Sequence, residues 1–163
     1  MTKKEFVFTK DTDNKKLTIT RAFDASLNDV WSAWTEAEIL DKWWAPKPYR
    51  AETKTMNFAV GGSRLYAMVS PDDVKHWCKE TYTAIEFQKL VNNTAVFCDE
   101  QGNNNQEMPT MFWKKEFRQT DAETTVLAEI TFTSLSDMEM IIKMGFQEGF
   151  TAGLKNLEDY LEA

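Results

Sequence analysis

The stretch from Leu135 to Leu161, LSDMEMIIKMGFQEGFTAGLKNLEDYL, decides how the rest of the chain is read. It contains no proline, and its apolar residues recur at helical spacing. At 100° per residue, Met138, Ile142, Phe146, Leu157 and Tyr160 fall on one stripe, and Lys143, Gln147, Thr151, Lys155 and Glu158 fall on the opposite face. The spacing predicts one long amphipathic helix of about 40 Å, capped at its start by Ser136 or Asp137. Gly145, Gly149 and Gly153 lie four residues apart on the packed side. Each costs a helix about 1 kcal/mol relative to alanine, so something must offset the loss. A line of missing side chains either admits a facing backbone or leaves room beneath the helix for a ligand. Lys143, Glu148 and Lys155 interrupt the segment and exclude a membrane-dimerising helix.

Upstream of this helix the period changes from helical to two. Leu17, Ile19 and Phe23 alternate in a first strand over residues 16–25. Ser26 is placed to cap a short helix carrying Val30, Trp31 and Trp34. A second short helix over residues 36–44 stops at Ala45-Pro46-Lys47-Pro48, which cannot continue it. Alternation returns at Met56, Phe58 and Val60, and Gly61-Gly62 turns the chain into residues 65–70. Further strands follow over 76–91 and 94–100, then around Met111, Trp113 and Phe117, and finally around Val126, Ala128, Ile130 and Phe132. The sum is an α+β fold: six to seven antiparallel strands, two short helices after the first strand, and the long C-terminal helix. No repeat or low-complexity linker divides the chain, so residues 1–163 read as a single domain, with about the first fourteen residues as an N-terminal extension.

Composition removes several function classes. Among 163 residues there are eleven Phe, six Trp and four Tyr but a single histidine, which leaves no two-histidine metal site. A net charge of −7 repels phosphate and argues against nucleic acid as a partner. Cys78 and Cys98 form no CxxC and sit in strand-like runs, as reduced structural thiols do. The first ten residues lack the apolar core of a secretory signal, and no uninterrupted apolar window is long enough to span a membrane. The expected location is cytoplasmic. No motif for a metal, a phosphate loop or a dinucleotide occurs, so no cofactor is expected.

Several pieces in order resemble one known family. They are Ile19-Thr20-Arg21-Ala22-Phe23-Asp24-Ala25 leading into Val30-Trp31-Ser32-Ala33-Trp34-Thr35, then Leu40-Asp41-Lys42-Trp43-Trp44-Ala45-Pro46. Gly61-Gly62-Ser63-Arg64 and Gly149-Phe150-Thr151-Ala152-Gly153-Leu154 follow, with Leu157 and Tyr160-Leu161. Together they are similar to the family of proteins like the activator of the heat-shock-protein-90 ATPase, within the START-like, SRPBCC (birch-pollen-allergen-like) superfamily. The paired tryptophans and paired glycines are weak signals singly and fairly specific in this order. The resemblance implies a helix-grip fold, in which a curved antiparallel sheet wraps a long C-terminal helix around a cavity. Relatives often carry proline after the Trp-Thr pair, where this chain has Glu36-Ala37, and glycine in the turn that is Pro71-Asp72-Asp73 here. Both departures fall in loops. In the namesake co-chaperones this domain follows a separate N-terminal domain, so a chaperone partner is an alternative rather than the first reading.

Strand parity and the resemblance together select a ligand-binding set. Met56, Phe58, Tyr66, Met68, Phe97, Trp113 and Phe117 lie on the apolar alternations of the sheet. Phe146, Gly149 and Phe150 face them from the long helix, and Trp43 and Trp44 cover one end. The expected function is binding of an apolar or aromatic small molecule without chemistry; the bland alternative is that these rings only fill a core. A cyclase- or hydratase-like enzyme would use Tyr66, Tyr82 or His76, and no catalytic residue is assigned. Arg21 falls in phase with Leu17 and Ile19, so it needs a buried carboxylate partner such as Glu116 or Glu129, or else anchors an acidic ligand group. Met140 and Met144 project away from the packed stripe, toward either a neighbouring loop or a partner surface, including that of a homodimer.

Overall fold

The computed structural model describes residues 6–163. Eight strands, β1 (Phe6–Asp11), β2 (Lys16–Phe23), β3 (Arg50–Met56), β4 (Ser63–Val69), β5 (Lys75–Glu86), β6 (Leu90–Cys98), β7 (Met111–Thr120) and β8 (Glu123–Thr131), form one sheet. Its order is β1-β2-β8-β7-β6-β5-β4-β3, and every neighbouring pair is antiparallel. Between β2 and β3 the chain crosses from one side of the sheet to the other through α1 (Leu27–Thr35) and α2 (Ala37–Trp43). Two further helices, α3 (Leu135–Lys143) and α4 (Phe146–Glu162), close the chain. This is the helix-grip arrangement, with one strand more than the six to seven expected.

The additional strand is β1, in the segment read from sequence as an extension. Its residues are mostly exposed, so no buried alternation marks it. The turn into β2 is held by Asn14, whose backbone N–H and side-chain amide donate to the Asp11 carboxylate at 3.1 and 2.7 Å. The two strands expected over 76–91 and 94–100 are divided earlier than that, because Phe87-Gln88-Lys89 makes a hairpin turn with Gln88 at φ 58° and β6 already starts at Leu90.

The expected single long helix is interrupted. Gly145 adopts a left-handed backbone at φ 93°, a conformation cheap only for glycine, and closes α3 by donating to the Ile142 carbonyl at 3.0 Å. The cap of α3 is Ser134, not Ser136 or Asp137: its Oγ accepts the Asp137 N–H at 3.1 Å.

Cross-strand register places the inward side chains in rows. Leu17, Ile130, Trp113, Asn93 and Tyr82 are successive neighbours across β2, β8, β7, β6 and β5. Phe97, Cys78 and Tyr66 form another row across β6, β5 and β4. Register shifts at Thr53/Thr55 in β3 and Tyr82/Ala84 in β5 are the bulges that bend such a sheet. The helices cover this face, and Met138, Ile141, Phe150, Leu154 and Leu157 are their buried contacts.

Gly153 sets how closely α4 seats. A Cβ there would lie 3.1 Å from the Trp44 carbonyl oxygen and 3.2 Å from that of Trp43. Asn156, one turn on, donates to the same end of α2, at 3.0 Å to the Ala45 carbonyl and 3.4 Å to that of Trp43. These are the carbonyls that a helix terminus leaves unsatisfied. The three glycines therefore have three roles. Gly153 admits a facing backbone, Gly149 meets only Pro46 Cγ at 3.7 Å, and Gly145 breaks the helix with nothing within 4 Å.

Arg21 is buried, and its acid is Glu158 rather than Glu116 or Glu129. Glu158 is therefore drawn off the solvent face, and its carboxyl is held below the usual range: desolvation acts against this, and the hydrogen bonds from Arg21 and Lys155 prevail. Among the described residues, no helix is long and apolar enough to cross a membrane.

Candidate functional site

A cavity of about 240 Å³ lies between β4–β7 and the α3–α4 break. That is just below the ~300–1,000 Å³ common for small-molecule pockets, so it suits a small occupant. Of the residues selected from sequence, the structure brings together Trp44, Tyr66, Met68, Phe97, Trp113, Phe146, Gly149 and Phe150 around it. Four others lie elsewhere. Trp43 is fully buried beneath, its ring 4.8 Å from Trp34 and its Nε1 donating to the Ala33 carbonyl at 2.8 Å. Phe117 packs 5.0 Å from Trp31 at the opposite end, and Phe58 packs 4.9 Å from Tyr82. Met56 is half-buried in β3 opposite Arg64. Met56, Phe58 and Phe117 were chosen by strand parity, which tells which face a side chain joins and not how far along the helix it sits; Trp43 was placed with Trp44 at one end of the cavity by the resemblance.

The same parity reaches residues that the sequence selection left out. Cys78 and Glu80 share the inward phase of Tyr82, Ala95 that of Phe97, and Met111 that of Trp113; all line the cavity. Pro46, Ile141, Met144 and Gly145 complete the wall from the α2–β3 loop and the helix break. Met144 thus reaches the rim of the cavity, and both it and Met140 are exposed.

Behind the rings stands a buried polar group that composition could not locate. Arg64 has no exposed surface; it donates to Asp41 Oδ1 at 3.2 Å and Thr53 Oγ1 at 3.1 Å, and its guanidinium lies 4.0 Å from the Tyr66 ring centroid. Its Nη1 comes within 3.9 Å of Glu80 Oε1 without making a hydrogen bond. The Tyr66 hydroxyl accepts Trp44 Nε1 at 2.9 Å. Lys115 is also buried, its Nζ lying 5.6 and 5.9 Å from the Trp113 and Trp34 rings. Burial pulls its pKa below the usual lysine value, with Arg64 adding to the effect and Glu80 opposing it. Burial pushes the Tyr66 and Tyr82 phenols up and the Cys78 thiol up to about 12. At neutral pH, then, neither phenol nor thiol is poised to ionise.

The polar atoms expected of a cyclase- or hydratase-like site do not converge. Tyr66 lines the cavity, whereas Tyr82 does not, and His76 is exposed with its ring 6.4 Å from Tyr49. Outside the cavity, Glu158, Asp159 and Glu162 gather at the end of α4, where Lys155 and Arg21 neutralise the first two.

Solved structures share this fold along nearly the whole chain. Protein Ms6760 from Mycobacterium smegmatis superposes with a TM-score of 0.88 at 25% identity, covering 96% of this chain and 97% of its own. A protein from Arthrobacter aurescens gives 0.91 at 27% identity over 96% and 91%, and one from Staphylococcus epidermidis gives 0.82 at 27% over 94% and 93%. No curated protein matches the sequence. The family model described as "Activator of Hsp90 ATPase homolog 1-like protein" matches residues 24–162, which include both tryptophan-bearing helices, the cavity walls and α4. The chain belongs to that family.

Proposed function

We propose that this protein binds a small apolar or aromatic molecule in the sheet–helix cavity, holding it without chemical change. The observation that carries this reading is the cavity itself: about 240 Å³ walled by Trp44, Trp113, Phe146 and Phe150 and left open beneath Gly149. An empty apolar space of that size forfeits dispersion contacts along its lining, and an apolar occupant restores them. The indoles of Trp44 and Trp113 make occupancy visible. The test is native mass spectrometry and solvent extraction of the purified protein, followed by titration with a panel of apolar probes while tryptophan emission is recorded. A copurifying small molecule, or saturable emission changes with some of the probes, is expected. Protein that is empty in every preparation and inert to every probe overturns the reading.

Membership of the family favours a second reading, an interaction with the heat-shock-protein-90 chaperone. Its test is the chaperone's ATP turnover with and without this protein. Unchanged turnover and no co-purification reject it.

A further inference from the structure

Among the described residues, one charged side chain lines the cavity, that of Glu80. It projects from β5 between Arg64 on β4 and Ala95 on β6, and is 4% exposed. A carboxylate taken out of water needs several hydrogen bonds, since its two oxygens offer about four acceptor positions. Glu80 has little of this. Arg64 Nη1 stands 3.9 Å from Oε1, beyond hydrogen-bond length, and the Tyr82 hydroxyl reaches the same oxygen only at 3.5 Å. Neither nearby buried cation hydrogen-bonds Glu80: Arg64 donates to Asp41 and Thr53 and meets Glu80 only as an ion pair at 3.9 Å, and Lys115 lies over indole rings. Two further polar atoms of this cluster, Arg64 Nη1 and Asn93 Oδ1, are buried without a hydrogen-bond partner. Glu80 therefore keeps unused acceptor capacity where the polar cluster meets the cavity, while Arg64 Nη1 is an unused donor.

We propose that the ligand is an uncharged amphipathic molecule, whose aromatic or aliphatic body fills the ring-lined space and whose single hydroxyl or N–H group donates to Glu80. This rests on the reading of the cavity as a small-molecule site and adds the polarity of the occupant. Charge balance selects the uncharged form. Arg64 and Lys115 stand against Glu80 and Asp41, so the cluster is already neutral. An anionic head would be pressed against Glu80, and a cationic one would add a third positive charge to a poorly solvated region. The other acceptors that line the cavity compete weakly for that donor, because the Tyr66 hydroxyl already serves Trp44 Nε1 and Cys78 is a weak acceptor, while Trp113 Nε1, buried without a hydrogen-bond partner, can only donate.

The test is calorimetric titration of the full chain at neutral pH with four probes of one shape: naphthalene, fluoronaphthalene, naphthol and naphthoate, each substituted at the same ring position. Naphthol is expected to bind at least about tenfold tighter than its near-isostere fluoronaphthalene and than naphthoate, the advantage of one hydrogen bond to a charged acceptor. In Glu80→Gln, with folding checked by circular dichroism, the naphthol advantage falls to about threefold or less while naphthalene affinity stays within about twofold. If that variant does not fold, the wild-type ranking decides alone. Equal affinities for naphthol and fluoronaphthalene overturn the inference and leave the cavity reading standing. A ranking led by naphthoate also overturns it, placing the buried cations in control of the head group. Binding of none of the four overturns the inference together with the reading beneath it.

Discussion

The two ends of the helix-covered face hold similar rings and differ in what those rings accomplish. At the α1–α2 end, Trp34 meets Trp43 at 4.8 Å and Trp31 meets Phe117 at 5.0 Å, edge to face. At the α3–α4 end, Trp113 stands 5.5 Å from Phe150 and 6.0 Å from Phe146, and a cavity of about 240 Å³ remains. Aromatic content is nearly matched, so it is not what separates core from cavity. The backbone is. At the closed end Gly153 lets α4 descend to within 3.1 Å, measured from where its Cβ would be, of the Trp44 carbonyl oxygen, whereas one turn earlier Gly149 finds only Pro46 at 3.7 Å. The left-handed Gly145 then ends contact of that kind altogether.

Truncating a ring at each end breaks the comparison most strongly. Trp43→Ala is expected to cost about 3–5 kcal/mol, since Trp43 is wholly buried and its Nε1 holds the Ala33 carbonyl. Phe146→Ala, at the wall of the cavity, is expected to cost about 1 kcal/mol, because a half-buried ring leaves less apolar area to lose. Urea denaturation of both variants measures the gap; equal losses would show that the two ends are packed alike.

Substituting the glycines sharpens the backbone argument. Gly153→Ala is expected to lose about 1 kcal/mol net, because its Cβ would press on two carbonyl oxygens that cannot move without shifting α2. Gly145→Ala is expected to lose about 1–2 kcal/mol from its left-handed backbone alone. Gly149→Ala meets only an ordinary contact and is expected to gain up to about 1 kcal/mol of helix propensity. Thermal melting of the three variants ranks them; loss at Gly149 would mean that α4 is seated there after all.

The last prediction has the smallest effect at neutral pH. Burial raises the Cys78 thiol from 9.0 to about 12, so the folded protein keeps a proton that the unfolded chain releases. Its contribution is complete below pH 9.0 and is lost as pH rises toward about 12. Tyr66 and Tyr82, also raised by burial, act in the same direction at higher pH, and Lys115, lowered by burial, acts against them. Cys78→Ala is therefore expected to flatten the fall in denaturation midpoint above about pH 9. An unchanged slope would mean that the thiol is solvated through the cavity.

The fold was legible wherever one face of an element is buried. The alternation at Leu17 and Ile19, the Ser26 cap and the pairing of Val126, Ala128 and Ile130 all gave their elements directly. β1 was not legible because both of its faces are largely wet. The helix break was hidden by coincidence: Gly145 keeps the four-residue spacing of Gly149 and Gly153, so a terminator reads as a packing residue. Lys143 in the last turn followed by a glycine is the signal that marks such an end. Within the site, parity found the rings and passed over Glu80 and Lys115, because charged residues in phase with apolar ones look like solvent-facing exceptions. Their burial depends on Arg64, Asp41 and the indoles, which come from separate elements and meet only in the folded chain.

The single crossover through α1 and α2 has a consequence for how the molecule assembles. From β3 to β8 the chain folds back on itself by successive hairpins, whose ends find each other over short loops. The β2–β8 seam is different, since Leu17 must meet Ile130 from more than a hundred residues away. Its closure carries the largest loop entropy in the sheet, which makes it the natural late step of folding. Until it closes, the crossover helices have no fixed position over the meander, and Trp44 cannot complete its side of the cavity. A ligand that needs that side would recognise only chains that have finished folding, and would slow the reopening of the seam.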